Sequence, residues 1–277
     1  MKDEPQHGVV SPPDAPGHTV AHGGRRLTWP RLLGLLVLAL LVLPLAVPGA
    51  TQAGADEYPT VGDAADQALQ AAATLAVVVL AITWLRWWRP VWREPDARPR
   101  ARPWVWIAGL PLPLALATAD WSRIAAVPDV ALTLALFALL VGAGEELLFR
   151  GVMLTFLRER HREWVAVLVT TVVFATLHFT EGVPGVLDNL AFGYLAYLMR
   201  RVSGGLLVPI LVHAAVDFSV WSAFCGPGPY EPDSTSFLLF LSFVGLIVVL
   251  LVLRRRMFDP VTSAAGTSVP PEQDKGG

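Results

Sequence analysis

The feature that most constrains this chain is one apolar run, Val130 to Leu157, with two adjacent carboxylates and a guanidinium near its middle. A run of that length can cross a bilayer, which takes about 20 residues. The polar groups lie in Gly142-Ala143-Gly144-Glu145-Glu146-Leu147-Leu148-Phe149-Arg150-Gly151. A charge at that depth costs about 3 kcal/mol or more and marks function by default. Glu146 and Arg150 are four residues apart, share a helix face and can pair, which offsets much of that cost. Glu145 points roughly 100° away around the helix and has no partner within its own segment. An unpaired intramembrane glutamate calls for a chemical role; the alternative is that both carboxylates are ion-paired packing.

Composition agrees with a membrane protein. Of 277 residues, 54% are hydrophobic and only 16% charged, against about 25% charged in soluble domains. The fold class expected is all-α, a polytopic membrane helical bundle of about eight transmembrane helices. The single cysteine, Cys225, rules out an internal disulfide and any Cys-based zinc cluster. It has no histidine beside it in sequence, and a passive role is expected.

Residues 1–24 are rich in Pro, Gly and His without apolar periodicity, and read as disordered. His7, His18 and His22 could bind metal weakly, but histidines scattered in a tail more often do nothing specific. The first apolar span, Leu32–Val47, follows Arg25, Arg26 and Arg31. With Ala53-Gly54-Ala55 beyond it, this region also resembles a secretory signal with its cleavage site. The long leader before the arginines argues against cleavage, and a retained helix is expected. An acidic loop, 51–67, leads to a second span over 69–85. A basic loop follows, with Arg86, Arg89, Arg93, Arg98, Arg100 and Arg102 broken by prolines and flanked by tryptophans, as at a membrane interface. Further spans are expected at 104–119, 130–157, 164–180, 186–201, 206–224 and 237–253. Of the 21 Lys and Arg, this count places 19 on one side. By the positive-inside rule that side is the cytoplasm, so both termini are expected there. No internal repeat suggests a transporter with duplicated halves.

Few other ionisable residues lie within the later spans. His178 closes Phe174-Ala175-Thr176-Leu177-His178, and His213 and Asp217 stand four apart in His213-Ala214-Ala215-Val216-Asp217. Asp217 can accept an N–H from His213 and fix its tautomer, or help hold an ion. Glu145 is 13 residues from Arg158, His178 is 16 from Arg162 and His213 is 12 from Arg201. At 1.5 Å per residue all three lie roughly 18–24 Å from the cytoplasmic arginines. Three helices thus bring Glu, His and His-Asp to nearly one level. A Glu beside a His in a site of restricted dielectric can deprotonate water. A second His can hydrogen-bond a developing oxyanion. Glu145, His178 and His213 are equally the residue types that ligate catalytic zinc.

Glu145-Glu146-x-x-x-Arg150, Phe174-x-x-x-His178 and His213-x-x-x-Asp217, on successive membrane helices, resemble the three motifs of the CPBP family, the CAAX-protease and bacteriocin-processing group of intramembrane proteases. The resemblance covers about residues 130–225. It implies an eight-span helical core and peptide-bond hydrolysis within the membrane. It also implies that Glu145 and His178 activate water, that His213 with Asp217 forms the oxyanion side, and that Glu146 and Arg150 support them. Members of the family are described both as metalloproteases and as metal-independent, glutamate-type enzymes. The last motif position is Asn or Asp across the family, and an ionised Asp cannot donate to an oxyanion. Asp217 is therefore protonated by burial, orients His213, or supports a metal. No cofactor is favoured, and zinc is the possible one, on Glu145, His178 and His213.

The domains expected are a disordered tail over 1–31, three transmembrane helices and the basic loop over 32–129, the CPBP-like core over 130–225, a turn and last helix over 226–256, and a disordered tail over 257–277. The expected location is the plasma membrane of a bacterium. The expected partners are membrane lipid and a protein or peptide substrate, with no nucleic acid. The competing expectation is a non-enzymatic membrane protein, an immunity factor or a transporter that uses the buried Glu and His as a proton relay.

Overall fold

A computed structural model describes residues 24–39, 58–94, 104–226 and 235–253. The described residues are helical, with no β-strand and only two isolated bridges, Tyr58 with Cys225 and Arg93 with Gly205. The helices in chain order are α1 (Trp29–Val37), α2 (Val61–Leu85), α3 (Trp88–Trp92), α4 (Trp104–Ala108), α5 (Pro111–Thr118), α6 (Trp121–Ala126) and α7 (Pro128–Glu145). A π-helical segment, Glu146–Met153, carries α7 into α8 (Leu154–Arg158). Then come α9 (Glu163–Thr176), a 3-10 turn (Phe179–Glu181), α10 (Gly182–Ser203), α11 (Leu207–Ser222) and α12 (Thr235–Val252).

Among the described residues the helices supply two or three candidate membrane spans, and eight are not confirmed. Two helices are long and apolar enough to cross a membrane, Val61–Leu85 and Pro128–Arg158. The runs expected as the fifth and sixth spans are the two arms of one pair bent by 57°, a third candidate if the pair counts as one. The apolar stretches Trp106–Thr118 and Leu207–Ser222 are shorter than the roughly 20 residues of a straight span, and Phe237–Val252 is the part of the last helix that lies well within the described residues. Hydropathy registers apolar runs but not their breaks. The third run breaks at Gly109-Leu110, just before Pro111 opens α5, because proline offers no N–H to continue a helix.

The acidic loop is also shorter than expected. The second helix starts at Val61, because Thr60 and Asp63 form a reciprocal capping box that satisfies two of the helix's free N–H groups. Asp63 and Asp66 are therefore in the helix. The basic loop contains α3, and Glu94 is buried at its end. Half of the first expected span, the candidate cleavage site at Ala53-Gly54-Ala55, Arg98, Arg100, Arg102, the tail over 257–277 and most of the N-terminal tail lie outside the described residues. Residues 24–31, expected as tail, are mostly exposed, but Leu27 is buried and two contacts tie the segment to the bundle. Arg25 donates its backbone N–H to the Leu85 carbonyl, and Trp29 meets Phe156 edge-on.

The central element is α7 with its π continuation. It is apolar on every face, as a helix surrounded by others or by lipid must be. It packs chiefly against α2 and α11. Leu134, Leu148, Phe156, Val78 and Ile82 are wholly enclosed. Large apolar side chains point outward as well, Leu132 at 74% and Leu80 at 67% exposure. Such a surface suits lipid better than water.

Candidate active site

The site begins with helix proximity. A Cβ on Gly142 would lie 3.0 Å from the Ala214 nitrogen and 3.2 Å from the Ile210 carbonyl oxygen. Only glycine lets α7 and α11 approach this closely, which sets Glu145 and Glu146 against His213 and Asp217. On the next turn the chain widens into the π segment, a feature frequent at functional sites.

Glu146 and Arg150 pair at 2.8 Å, with 0% and 1% of their side chains exposed. The same Glu146 oxygen, Oε1, accepts a hydrogen bond from His213 Nδ1 at 3.0 Å. A carboxylate oxygen only accepts, so Nδ1 carries the proton and Nε2 is turned to the cavity. The group that fixes the tautomer of His213 is Glu146, on a neighbouring helix, and not Asp217 on its own. His213 Nε2 is 3.7 Å from Glu145 Oε2 and 3.6 Å from Asp217 Oδ2, both beyond hydrogen-bond length. Neither of those two oxygens has a hydrogen-bond partner.

His178 stands at the end of α9. Its Nδ1 donates to the Phe174 carbonyl at 2.9 Å, which also accepts the Leu177 backbone N–H at 3.2 Å. This bond leaves Nε2 of His178 unbound. Phe174 is the centre of an aromatic shell. Its ring lies 4.1 Å below the Arg150 guanidinium, 4.8 Å from the His178 ring and 5.3 Å from Phe149. Phe192 of α10 meets the His213 ring edge-on at 4.7 Å. Together these rings keep water from the Glu146–Arg150 pair.

Glu145, His178, His213 and Asp217 all line one cavity of about 740 Å³. Gln70 and Thr74 of α2, Asn189 and Phe192 of α10 and Phe243 of α12 line it too. Sequence reading missed Phe192, which carries no motif. It also missed Gly193, where a Cβ would come within 3.2 Å of Arg150 Nη2. Phe174 was within reach, since it opens the Phe-x-x-x-His motif.

The described side chains are not arranged as a formed zinc site. The donor chemistry is suitable, since each histidine has one nitrogen engaged with an oxygen and the other free. Among the described residues, however, no three His, Cys, Asp or Glu side chains are grouped so as to hold a metal ion.

Comparison with known proteins agrees with the motifs. Residues 127–219, about a third of the chain, match the family described as type II CAAX prenyl endopeptidase Rce1-like. The resemblance to the CAAX-protease group is borne out over that stretch. An uncharacterized 24.3 kDa protein of Escherichia coli is 36% identical over 90 residues, which cover 31% of this chain and 42% of that protein. No solved structure matches the chain.

Proposed function

We propose that the chain is an intramembrane endopeptidase that hydrolyses a peptide bond of a membrane-associated or prenylated protein or peptide precursor, by a glutamate-type mechanism. The observation that carries this reading is the meeting of Glu145, His213 and Asp217, within 3.7 Å of one imidazole nitrogen, in a cavity that His178 also lines. The Rce1-like match over 127–219 supports the same reaction class.

Glu145, helped by His178, takes a proton from a water molecule as its oxygen attacks the scissile carbonyl carbon. The carbonyl π electrons pass to oxygen. His213, which gives its Nδ1–H to Glu146, takes a second proton on Nε2 beside the Glu145 and Asp217 carboxylates and donates that Nε2–H to the oxyanion. Glu145 then returns the proton to the departing nitrogen as the C–N bond breaks, which leaves a new carboxylic acid and a new amine, and the acid's proton passes to the amine to give carboxylate and ammonium. Glu146 holds His213 by Nδ1, and Arg150 balances the Glu146 charge. The aromatic shell around Phe174 excludes water, so each of these charges acts more strongly than it would in solvent.

The test is cleavage by the purified full chain in lipid bilayers. The substrates are a panel of prenylated peptides with C-terminal CAAX sequences and of membrane-spanning peptides, with new termini read by mass spectrometry. We expect a discrete cut in one class. Absence of any cut across the panel, or undiminished cutting by Glu145→Gln, would overturn the reading and favour a non-enzymatic role for the buried carboxylates.

A further inference from the structure

A second site stands apart from the cavity, where the N-terminal segment crosses the end of α2. The Arg25 and Arg31 guanidinium carbons lie 4.9 Å and 5.4 Å from the centroid of the same Trp84 ring. The two charges are thus no more than about 10 Å apart, within one Debye length, and repel. Among the described residues neither meets a carboxylate. Both arginines are exposed, and Trp84 is 46% exposed. The cationic pair is nevertheless built rather than loose. The Arg25 backbone is fastened to the Leu85 carbonyl at 2.9 Å, and Arg31 Nη1 donates to the Arg26 carbonyl at 3.1 Å. An anion held by the guanidiniums would offset the repulsion and accept charge-assisted hydrogen bonds from them.

The surroundings define which anion. Trp84 is the penultimate residue of Val61–Leu85, one of the two helices long and apolar enough to cross a membrane. Leu80, one turn back on the same face, is 67% exposed. On α1, Leu33 and Val37 are likewise exposed, at 56% and 48%. Exposed apolar surface thus runs up to a paired cationic end, with an indole at the boundary, where a tryptophan settles at headgroup depth. A ligand that matches both parts has a phosphate and an acyl chain.

We propose that Arg25, Arg31 and Trp84 form a binding site for the phosphodiester headgroup of an anionic phospholipid, whose acyl chain lies along Leu80. The site couples lipid binding to seating of the N-terminal segment, because both arginines belong to that segment.

The experiment uses the full chain in nanodiscs of phosphatidylcholine with increasing phosphatidylglycerol, and native mass spectrometry of the lipid it retains. Phosphatidylglycerol is expected to be retained in preference to phosphatidylcholine. Arg25→Gln and Arg31→Gln should each weaken that retention about five-fold, the worth of one surface arginine near anionic lipid. Arg162→Gln, an exposed arginine at the start of α9, should leave it unchanged. The paired variant Arg25→Lys with Arg31→Lys keeps both charges, is expected to fold normally, and should lose only part of the preference. Equal retention of the two lipids would overturn the proposal. So would an equal loss in Arg162→Gln, which would mean diffuse charge attraction. Complete displacement by millimolar inorganic phosphate would also overturn it, since the site would then take a free anion.

Discussion

His213 donates through Nδ1 to Glu146, 3.0 Å away, and this one bond joins the buried ion pair to the cavity. Glu146 Oε1 also holds Arg150 at 2.8 Å, so a single oxygen orients the imidazole and neutralises the guanidinium. The pair is no separate prop of the fold, because any change in it reaches His213 directly.

Arg150→Ala should therefore lose both folded protein and activity. It strands a wholly buried carboxylate, for which a broken buried pair typically costs about 3–5 kcal/mol. Glu146→Gln should be milder in stability but should still reduce turnover, because the amide no longer anchors Nδ1 with a full charge. Membrane abundance, thermal unfolding and turnover of each variant are the measurements. Normal abundance of Arg150→Ala would count against the pair's structural role.

Glu145 presents a different case. Its side chain is 23% exposed and its Oε2 has no partner, so little of the fold depends on it. Glu145→Gln should cut turnover by the roughly 10²–10⁴-fold expected for loss of a general base, with an unchanged melting temperature. His178→Ala should do much the same. The double variant should cost far less than the sum of the two logarithms, since groups that act as a unit are not additive. Full additivity would separate the two residues mechanistically.

What was legible in the sequence was spacing. Glu146 and Arg150, four apart, pair along one face, and matching depths bring Glu145, His178 and His213 to one cavity. What was not legible depends on contacts between distant segments. The Glu146 bond to His213 spans 67 residues, and the nearer Asp217 at i+4 concealed it. The π segment leaves no mark in composition. Glu94 sits in a stretch that looks like a solvated basic loop, yet its partners Arg158, Arg200 and Arg201 come from elsewhere in the chain. The eight-span count rested on apolar runs alone, and the described helices supply two or three candidates long enough to cross a membrane.

Asp217→Asn distinguishes the two mechanisms the motifs leave open. Asp217 Oδ2 faces His213 Nε2 at 3.6 Å without a hydrogen bond. In the glutamate mechanism, Asn keeps the shape and supplies an N–H donor on the oxyanion side, so turnover should hold within about ten-fold, and a strong chelator should have no effect. Weakening of a metal's ligand or its supporting shell typically costs 10–100-fold. Chelator inactivation that stoichiometric zinc reverses would replace the mechanism proposed above.

Glu94 predicts an acid-sensitive fold. Burial alone pushes its carboxyl up, but Arg158, Arg200 and Arg201 outweigh burial and hold it below the ordinary 4.5. A carboxylate depressed in the folded state contributes stability that is complete above its unfolded value and is lost as pH falls through the folded one. Thermal stability should accordingly hold from neutral pH down to about 4.5 and decline below it. Glu94→Gln should be less stable at pH 7, because it leaves Arg200 buried without a carboxylate. Its decline in acid should also be shallower than that of the native chain. Parallel curves for the two proteins would show that Glu94 is not the group responsible.

Gly142 and Gly144 provide an internal comparison on one helix. A Cβ at Gly142 would meet backbone atoms of α11 at 3.0 Å and 3.2 Å and His213 Cβ at 3.3 Å, and the backbone atoms cannot swing aside. At Gly144 the nearest atom is Leu75 Cα at 3.8 Å, an ordinary contact. Both alanine variants gain helix propensity of about 1 kcal/mol. Gly144→Ala should keep that gain and its activity. In Gly142→Ala an overpacking cost of about 1–3 kcal/mol cancels or exceeds it. The larger effect should fall on turnover, because relief of the clash moves α11, and with it His213 and Asp217, away from Glu145. Misplacement of such groups by about 1 Å can cost 10²-fold. The expected signature is a small change in melting temperature for both variants and a turnover loss of at least about ten-fold for Gly142→Ala alone. Equal activity in the two would mean that the close approach of α7 and α11 does not set the geometry of the site.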